Sequence, residues 1–181
     1  MLVLVVGPSG AGKDSLLNAA REMFRGDARI HFVRRVITRP RDLGGEDHEP
    51  VTDAEFAARD FALSWIAHGL RYGIPAAAMR AAPVVVANVS RGVIAEAATR
   101  HPVRVIEVTA PPAVLAARLK ARGRESADDV ARRLSRSATI PGGVAVTTVC
   151  NDGSLAEGVA RFVAALRLAL SAIDVSDEPP P

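Results

Sequence analysis

Apolar runs and helically spaced apolar residues alternate along the chain. Leu2–Val6 is a continuous apolar run that leads into glycines, which is typical of a buried parallel strand followed by a loop. Lys13–Phe24 carries apolar residues at helical spacing, and Thr52–Glu55 predicts a capping box that opens a short helix. The other predicted strands are His31–Ile37, Pro83–Asn88, Val103–Thr109 and Val144–Cys150. The other predicted helices run from the region of Ser90 to Arg100, from Pro111 or Pro112 to Ala121, over Ser126–Ser137 and over Leu155–Leu170.

The remaining segments complete a predicted α/β organisation. Thr38–Pro50 is polar and rich in glycine and proline, which predicts a loop, and Phe61–Tyr72 predicts short extended pieces. Strands that alternate with helices favour a parallel sheet flanked by helices, with ligands at the carboxyl ends of the strands. The chain has no internal repeat and no linker long enough to divide it. We therefore expect one domain over residues 1–172 and a disordered tail over 173–181, which ends in prolines.

Composition places the chain among ordinary globular proteins. Its 181 residues are 49% hydrophobic and 24% charged, and no apolar run approaches the ~18–20 residues that cross a bilayer. The N-terminal run has no preceding basic segment and continues into a glycine loop, so it is not expected to be an export signal, and the cytoplasm is the expected compartment. Cys150 is the only cysteine, which excludes an intrachain disulfide and a multi-thiol metal site.

The charge pattern favours a small phosphorylated ligand over nucleic acid or membrane. The net charge is +3 and the pI is about 9.7, but the basic residues are spread along the chain. Only Trp65 and Tyr72 are large polar-tipped aromatics able to stack on bases. Of the 23 basic residues, Lys13 and Lys120 alone are lysines, and an arginine fork binds two phosphate oxygens at once. The sequence leaves the oligomeric state open.

The strongest functional motif is a glycine-rich loop between the first strand and the first helix. It follows the pattern G-x-x-x-x-G-K and consists of Gly7, Pro8, Ser9, Gly10, Ala11, Gly12 and Lys13. Glycines let main-chain N–H groups turn toward phosphate oxygens, and the lysine reaches the β- and γ-phosphates of ATP. Position 14 is Asp where the general pattern has Ser or Thr, and the hydroxyl follows at Ser15. Ser15 is therefore the candidate for phosphate or Mg²⁺.

A second basic motif suits the acceptor. Arg34, Arg35, Arg39 and Arg41 fall within eight residues, and Arg39 and Arg41 flank Pro40 in a predicted loop. Guanidinium groups so placed are suited to gripping a substrate phosphate. A solvated surface loop is the alternative.

In combination, these motifs resemble the guanylate kinase family. The glycine loop, Thr38-Arg39-Pro40-Arg41, Trp65…Tyr72-Gly73, Arg122-Gly123-Arg124-Glu125…Arg133-Leu134 and Asn151-Asp152 occur in that family's order. The resemblance covers nearly the whole chain. It implies a P-loop NTPase fold with an acceptor-binding insertion over about 34–80 and a lid over about 118–137.

Two departures point away from guanylate as the acceptor. The family reads guanine with a Glu just before the tryptophan, where this chain has Ser64, and with a Ser after the Tyr-Gly pair, where it has Ile74. With Gly-Lys-Asp-Ser-Leu at 12–16, Tyr72-Gly73-Ile74-Pro75 and Asn88-Val89-Ser90-Arg91, the chain looks like the ribose 1,5-bisphosphate phosphokinase branch. That resemblance implies transfer of the ATP γ-phosphate onto the 1-phosphate of ribose 1,5-bisphosphate, giving 5-phosphoribosyl 1-pyrophosphate in phosphonate breakdown.

The resemblance also implies roles for single residues. Lys13 would neutralise the transferred phosphate, the lid arginines Arg122 and Arg124 would close on it, and Arg133 would assist. The acceptor would contact Arg39, Arg41 and Tyr72. Arg71 is a further candidate for its second phosphate, with an exposed surface arginine as the alternative, and Asn151 would either meet the adenine or serve as a turn residue. Either Asn88 and Ser90 orient a water on the metal, or Asp14 contributes, because no acid follows the strand at Val84–Ala87. The alternatives are a guanylate or other nucleotide kinase and a non-catalytic interaction module.

Overall fold

A parallel five-stranded sheet forms the centre of the computed structural model, which describes residues 1–40, 47–121 and 140–174. Its strands are β1 (Leu2–Val6), β2 (Ile30–Phe32), β7 (Val84–Asn88), β8 (Val103–Thr109) and β9 (Ala145–Cys150). They lie side by side in the order β2-β7-β1-β8-β9. The described helices are α1 (Lys13–Met23), α2 (Asp53–Ala57), α3 (Ile94–Arg100), α4 (Pro112–Ala121) and α5 (Leu155–Asp174). The predicted α/β fold with a parallel sheet is thereby confirmed.

Both faces of the central sheet are covered, which explains why β1 is apolar at every position. Val3 and Val5 face a core that α1 and α5 complete. Leu2, Leu4 and Val6 face the opposite core, which includes Ile94 of α3 and apolar residues of a second sheet. All five β1 residues are fully buried, so the strand reads as an unbroken hydrophobic run. Among the described residues, no helix is both long and apolar enough to cross a membrane.

The second sheet has four short strands and lies beside the central one. Its order is β4-β3-β6-β5, from β3 (Val36–Ile37), β4 (Glu49–Pro50), β5 (Phe61–Ala67) and β6 (Leu70–Pro75). Strands β5 and β6 form an antiparallel hairpin that turns at His68 and Gly69, both with positive φ. This hairpin replaces the short extended pieces predicted for Phe61–Tyr72. The capping box predicted at Thr52 and Glu55 is present at the start of α2.

The prediction of one strand over His31–Ile37 is wrong. Residues 30–32 pair with β7 in the central sheet, whereas Val36 and Ile37 pair with β6 in the second sheet. The N–H of Val33 still donates to the carbonyl of Val86, and the chain then crosses between the sheets at Arg34 and Arg35. The predicted loop Thr38–Pro50 also ends in a strand, because Glu49 and Pro50 pair with β3. The predicted helix Ser126–Ser137 lies outside the described residues.

Candidate active site

The glycine loop joins β1 to α1 and requires glycine for steric reasons. At Gly7, φ is +148° and an added Cβ would lie 2.1 Å from the carbonyl oxygen of Val108. Gly12, the residue before α1, has φ +88°, a left-handed conformation that L side chains rarely adopt. The N–H groups at the start of α1 therefore open toward the carboxyl edge of the sheet, where an anion is stabilised.

The ammonium group of Lys13 lies over this loop. Its Nζ donates to the carbonyl oxygens of Gly7 and Pro8 at 2.8 and 3.0 Å. A tight turn closes beneath it, where the N–H of Ala11 donates to the carbonyl of Pro8 at 3.3 Å. The single lysine of the loop is thus held at the loop itself, and its contact with the phosphates of ATP stays a prediction.

Asn151 supports the glycine loop from below. Only 4% of this residue is exposed, and its Nδ2 donates to the carbonyl oxygen of Ala11 at 2.8 Å. An added Cβ at Gly12 or Gly158 would lie 2.5 or 2.3 Å from the Asn151 amide, so both glycines make room for it. The sequence suggested that Asn151 meets adenine, and that contact stays a prediction. The bond to Ala11, which joins residues 140 positions apart, was not foreseen.

We expect Asn151→Ala to destabilise the protein and to weaken ATP binding. The substitution leaves the buried Ala11 carbonyl without its donor, which costs about 1–3 kcal/mol. Thermal unfolding and calorimetric titration with ATP measure the two effects. Asp152→Ala is the control, because it removes an exposed ion pair with Arg161 and should change the free energy of unfolding by less than about 1 kcal/mol. Equal stability of the two variants would contradict the supporting role.

Asp14 and Asn88 meet at the carboxyl edge of the sheet. Asn88 ends β7, next to β1, and its Nδ2 donates to Oδ1 of Asp14 at 3.0 Å. Asn88 is 9% exposed, whereas Ser15 is exposed one residue further along α1. Ser90 is also exposed, and its side chain does not cap the short turn of helix that follows it. The structure therefore shows a carboxylate in the first turn of α1 that is oriented by the residue at the end of β7.

Arg39 is held in place by a buried histidine. His48 is 3% exposed, and its Nε2 lies 3.0 Å from the carbonyl oxygen of Arg39. A carbonyl only accepts, so Nε2 carries the proton and Nδ1, 3.4 Å from Nη2 of Arg39, is the acceptor. Nε of Arg39 is buried without a hydrogen-bond partner in the described part of the chain. A fixed guanidinium with a vacant donor is suited to binding an anion.

Tyr72 and Arg71 point to opposite faces of β6, as adjacent strand residues do. The Tyr72 ring stacks on Trp65, with centroids 5.4 Å apart and planes 9° apart, and Arg35 lies over the ring at 5.4 Å. Arg71 instead packs over Phe56 at 4.5 Å. Arg71 therefore lies on the face away from Tyr72, and its contact with a second phosphate stays a prediction.

A cleft lies between α1 and the crossing from β2 to β3. Its empty volume is about 380 Å³, including its open mouth. Side chains from four segments line it, namely Asp14, Leu17, Asn18, Arg21, Phe32, Val33, Arg35, Asp47, Val86 and Asn88. Burial, and secondarily the nearby Arg21 guanidinium, lowers the pKa of His31 below its usual value.

Arg41, Arg122, Arg124 and Arg133 lie outside the described residues, so their predicted roles stay predictions.

The glycine loop, the parallel sheet and the added small sheet define the class of P-loop proteins with a guanylate kinase-like fold. The guanylate kinase of Anaplasma phagocytophilum superposes with a TM-score of 0.63 at 17% identity, over 94% of this chain and 86% of that one. The family model of the AAA domain matches residues 2–139.

Curated relatives show to which family within this class the chain belongs. The ribose 1,5-bisphosphate phosphokinase PhnN of Methylobacterium radiotolerans is 50% identical over 175 residues, which are 92% of this chain and 97% of that protein. The bifunctional ribose 1,5-bisphosphokinase-thymidine phosphorylase of Cupriavidus pinatubonensis is 54% identical over 173 residues, 91% of this chain but 29% of that protein. The chain thus spans less than a third of the bifunctional relative. It belongs to the AAA-domain family and, within it, to the ribose 1,5-bisphosphate phosphokinase PhnN family. The family resemblance found in the sequence is confirmed.

Proposed function

We propose that the chain transfers the γ-phosphate of ATP onto the 1-phosphate of ribose 1,5-bisphosphate, giving 5-phosphoribosyl 1-pyrophosphate and ADP. The observation that carries this proposal is that both ends of the site present cationic groups. One end has a phosphate cradle with Lys13, and the other presents Arg39 and the Tyr72 face of the small sheet. Such a site is suited to polyanions on both sides.

The two base-reading positions of guanylate kinases are unsuited to that role here. Ile74 is fully buried in the core between the two sheets. Ser64 is exposed and pairs with Gly73, one position from the Tyr72–Trp65 pair, so it faces away from them. Neither position offers a buried hydrogen-bonding group for guanine, and an acceptor without a base fits better.

The proposed reaction needs positioning and charge neutralisation more than acid–base chemistry. An oxygen of the acceptor's 1-phosphate attacks the γ-phosphorus, the bond from γ-phosphorus to the bridging β-oxygen breaks, and ADP leaves with the electron pair. The acceptor phosphate is already ionised, so no strong general base is required. Lys13 would stabilise the charge that develops on the γ- and bridging oxygens, and Arg39 would hold the attacking phosphate.

We also propose that Mg²⁺ accompanies ATP. The described residues contain no group of three or more His, Cys, Asp or Glu side chains placed to hold a metal. Mg²⁺ on phosphates needs only one or two oxygen ligands from protein, and the Ser15 hydroxyl and the Asp14 carboxylate held by Asn88 fit that need. The ion would neutralise charge on the phosphates. Since the reaction consumes ATP, we expect it in the cytoplasm, as a step of phosphonate breakdown.

Steady-state rates with ribose 1,5-bisphosphate and GMP, measured side by side at fixed MgATP, test the acceptor. We expect kcat/KM for ribose 1,5-bisphosphate to exceed that for GMP by about 10³-fold or more, because a site without base-reading partners discriminates strongly. Phosphorus NMR should show the product as a pyrophosphate at C1. A preference for GMP would favour the nucleotide kinase alternative, and no turnover of either acceptor would favour a non-catalytic module.

A further inference from the structure

Arg35 has no role in the reaction proposed above. It lies where the chain crosses from the central sheet to the small sheet, and it lines the cleft beside α1. Its guanidinium lies over the Tyr72 ring at 5.4 Å, and that ring stacks on Trp65. Arg35, Tyr72 and Trp65 thus lie together on one face of the small sheet. Tyr72 belongs to β6 and Trp65 to β5, and Arg35 directly precedes β3.

Strand register explains why Arg35 faces the cleft. Ile37 pairs directly with Tyr72, so the two share a face of the small sheet. Arg35 precedes Ile37 by two residues and belongs to the same face by the alternation of an extended chain. Arg71 is on the opposite face, over Phe56. The arginine on the Tyr72 face is therefore Arg35, whereas the sequence suggested Arg71 as the candidate for the second phosphate.

The stack leaves the guanidinium suited to binding an anion. A guanidinium is attracted to the face of an aromatic ring. Its N–H donors form a planar fork that matches the spacing of phosphate oxygens. Tyr72 is 8% exposed, so the ring beneath the guanidinium is itself buried. Arg21, on α1, lines the same cleft and adds a second guanidinium.

Two carboxylates, those of Asp47 and Asp14, also line the cleft. Asp47 accepts from Nε of Arg34 at 2.9 Å, and Asp14 accepts from Asn88 at 3.0 Å. Asp14 also marks the end of the cleft nearest the glycine loop, since it directly follows Lys13. An acceptor lying in the cleft would thus have one end at the transferred phosphate and the other toward Arg35.

We propose that Arg35, assisted by Arg21, binds the phosphate of the acceptor that does not react, and so selects a sugar carrying two phosphates. This inference rests on the proposed function and assigns the residue that sets its substrate class. In ribose 1,5-bisphosphate the bound group is the 5-phosphate. Arg39 remains the group for the phosphate that attacks.

The test compares two acceptors in wild-type protein and in Arg35→Met, which keeps an unbranched stem on the Tyr72 ring. We expect kcat/KM for ribose 1,5-bisphosphate to fall about 10–100-fold, as for a lost charge-assisted hydrogen-bond pair. For ribose 1-phosphate, which lacks the second phosphate, we expect a change of less than about 3-fold. Arg35→Lys keeps the charge without the fork, so it should restore part of the discrimination.

Controls separate recognition from structural effects. Arg29→Met makes the same substitution at an exposed arginine paired with Asp27, and it should leave both acceptors unaffected. Arg21→Gln, on the surface of α1, should lower only the rate with ribose 1,5-bisphosphate, by about 3–10-fold. If Arg35→Met fails to fold, Arg35→Lys and Arg21→Gln decide the question by the same ratio of acceptors.

Each result of this comparison of acceptors bears on a specific claim. Equal losses with both acceptors would overturn the inference, because Arg35 would then serve the reacting phosphate or the fold. Unchanged discrimination in the Arg35 and Arg21 variants would overturn it while leaving the proposed function intact. Absence of turnover by wild-type protein with ribose 1,5-bisphosphate would overturn the proposed function and the inference together, before any variant is compared.

Discussion

Lys13→Ala is expected to lower kcat/KM for ATP by about 10²–10³-fold. A unit charge about 4 Å from a phosphate oxygen contributes roughly 4 kcal/mol at an effective dielectric constant near 20, before desolvation. The ammonium already lies at the mouth of the glycine loop, 2.8 Å from the Gly7 carbonyl, so little rearrangement is needed to reach the β- and γ-phosphates. Because the charge on the transferred group changes during the reaction, we expect kcat to fall as well as ATP affinity.

The chain offers a matched control for this substitution. Lys120 is the only other lysine, and it is exposed on α4. Lys120→Ala should therefore leave turnover and calorimetric MgATP binding within about 2-fold of wild type, as for most surface substitutions. If Lys13→Ala retained the full ATP-dependent rate, the phosphate-cradle mechanism would be untenable.

Arg39→Ala is expected to lower kcat/KM for ribose 1,5-bisphosphate by about 10²–10³-fold while MgATP binding stays near wild type. Each charge-assisted hydrogen bond to a phosphate contributes about 1.5–3 kcal/mol, and an arginine fork makes two. His48 contacts both the guanidinium and the main-chain carbonyl of Arg39, so the orientation of this side chain is set before the acceptor arrives. Initial rates at varied acceptor, with calorimetric titration of MgATP, separate the two effects.

Two further variants distinguish phosphate binding from a role in the fold. Arg39→Lys keeps the charge, loses the fork and should recover only part of the lost rate. Arg71→Ala removes the arginine on the far face of the small sheet, and we expect it to cost less than about 3-fold. A larger loss for Arg71→Ala than for Arg39→Ala would show that the acceptor lies against the other face.

The glycine loop was predictable because all its determinants are contiguous. The apolar run Leu2–Val6, the glycines and Lys13 lie within thirteen residues, and each acts through local backbone geometry. The capping box at Thr52 and Glu55 was predictable for the same reason, since both of its hydrogen bonds span three residues. The resemblance to a kinase family likewise rested on short motifs in a fixed order.

The single strand predicted over His31–Ile37 shows where local pattern stops being informative. An apolar extended segment is equally suited to either sheet, and the partner strand decides which one it joins. Ile30–Phe32 pairs with β7, more than fifty residues away, whereas Val36 and Ile37 pair with β6. Both pairings depend on contacts between distant segments, which carry no local sequence signal.

By itself, the sequence determined the α/β class and the glycine loop between β1 and α1, because periodicity and contiguous motifs act through local geometry. Only the tertiary structure decided that Arg35 shares the Tyr72 face of the small sheet and that Arg71 lies on the opposite face, because the face of a side chain depends on strand register and on what covers each side of the sheet. It also decided that Asp14 meets Asn88 and that Asn151 supports Ala11. Those contacts join residues that are 74 and 140 positions apart, and folding alone brings them together.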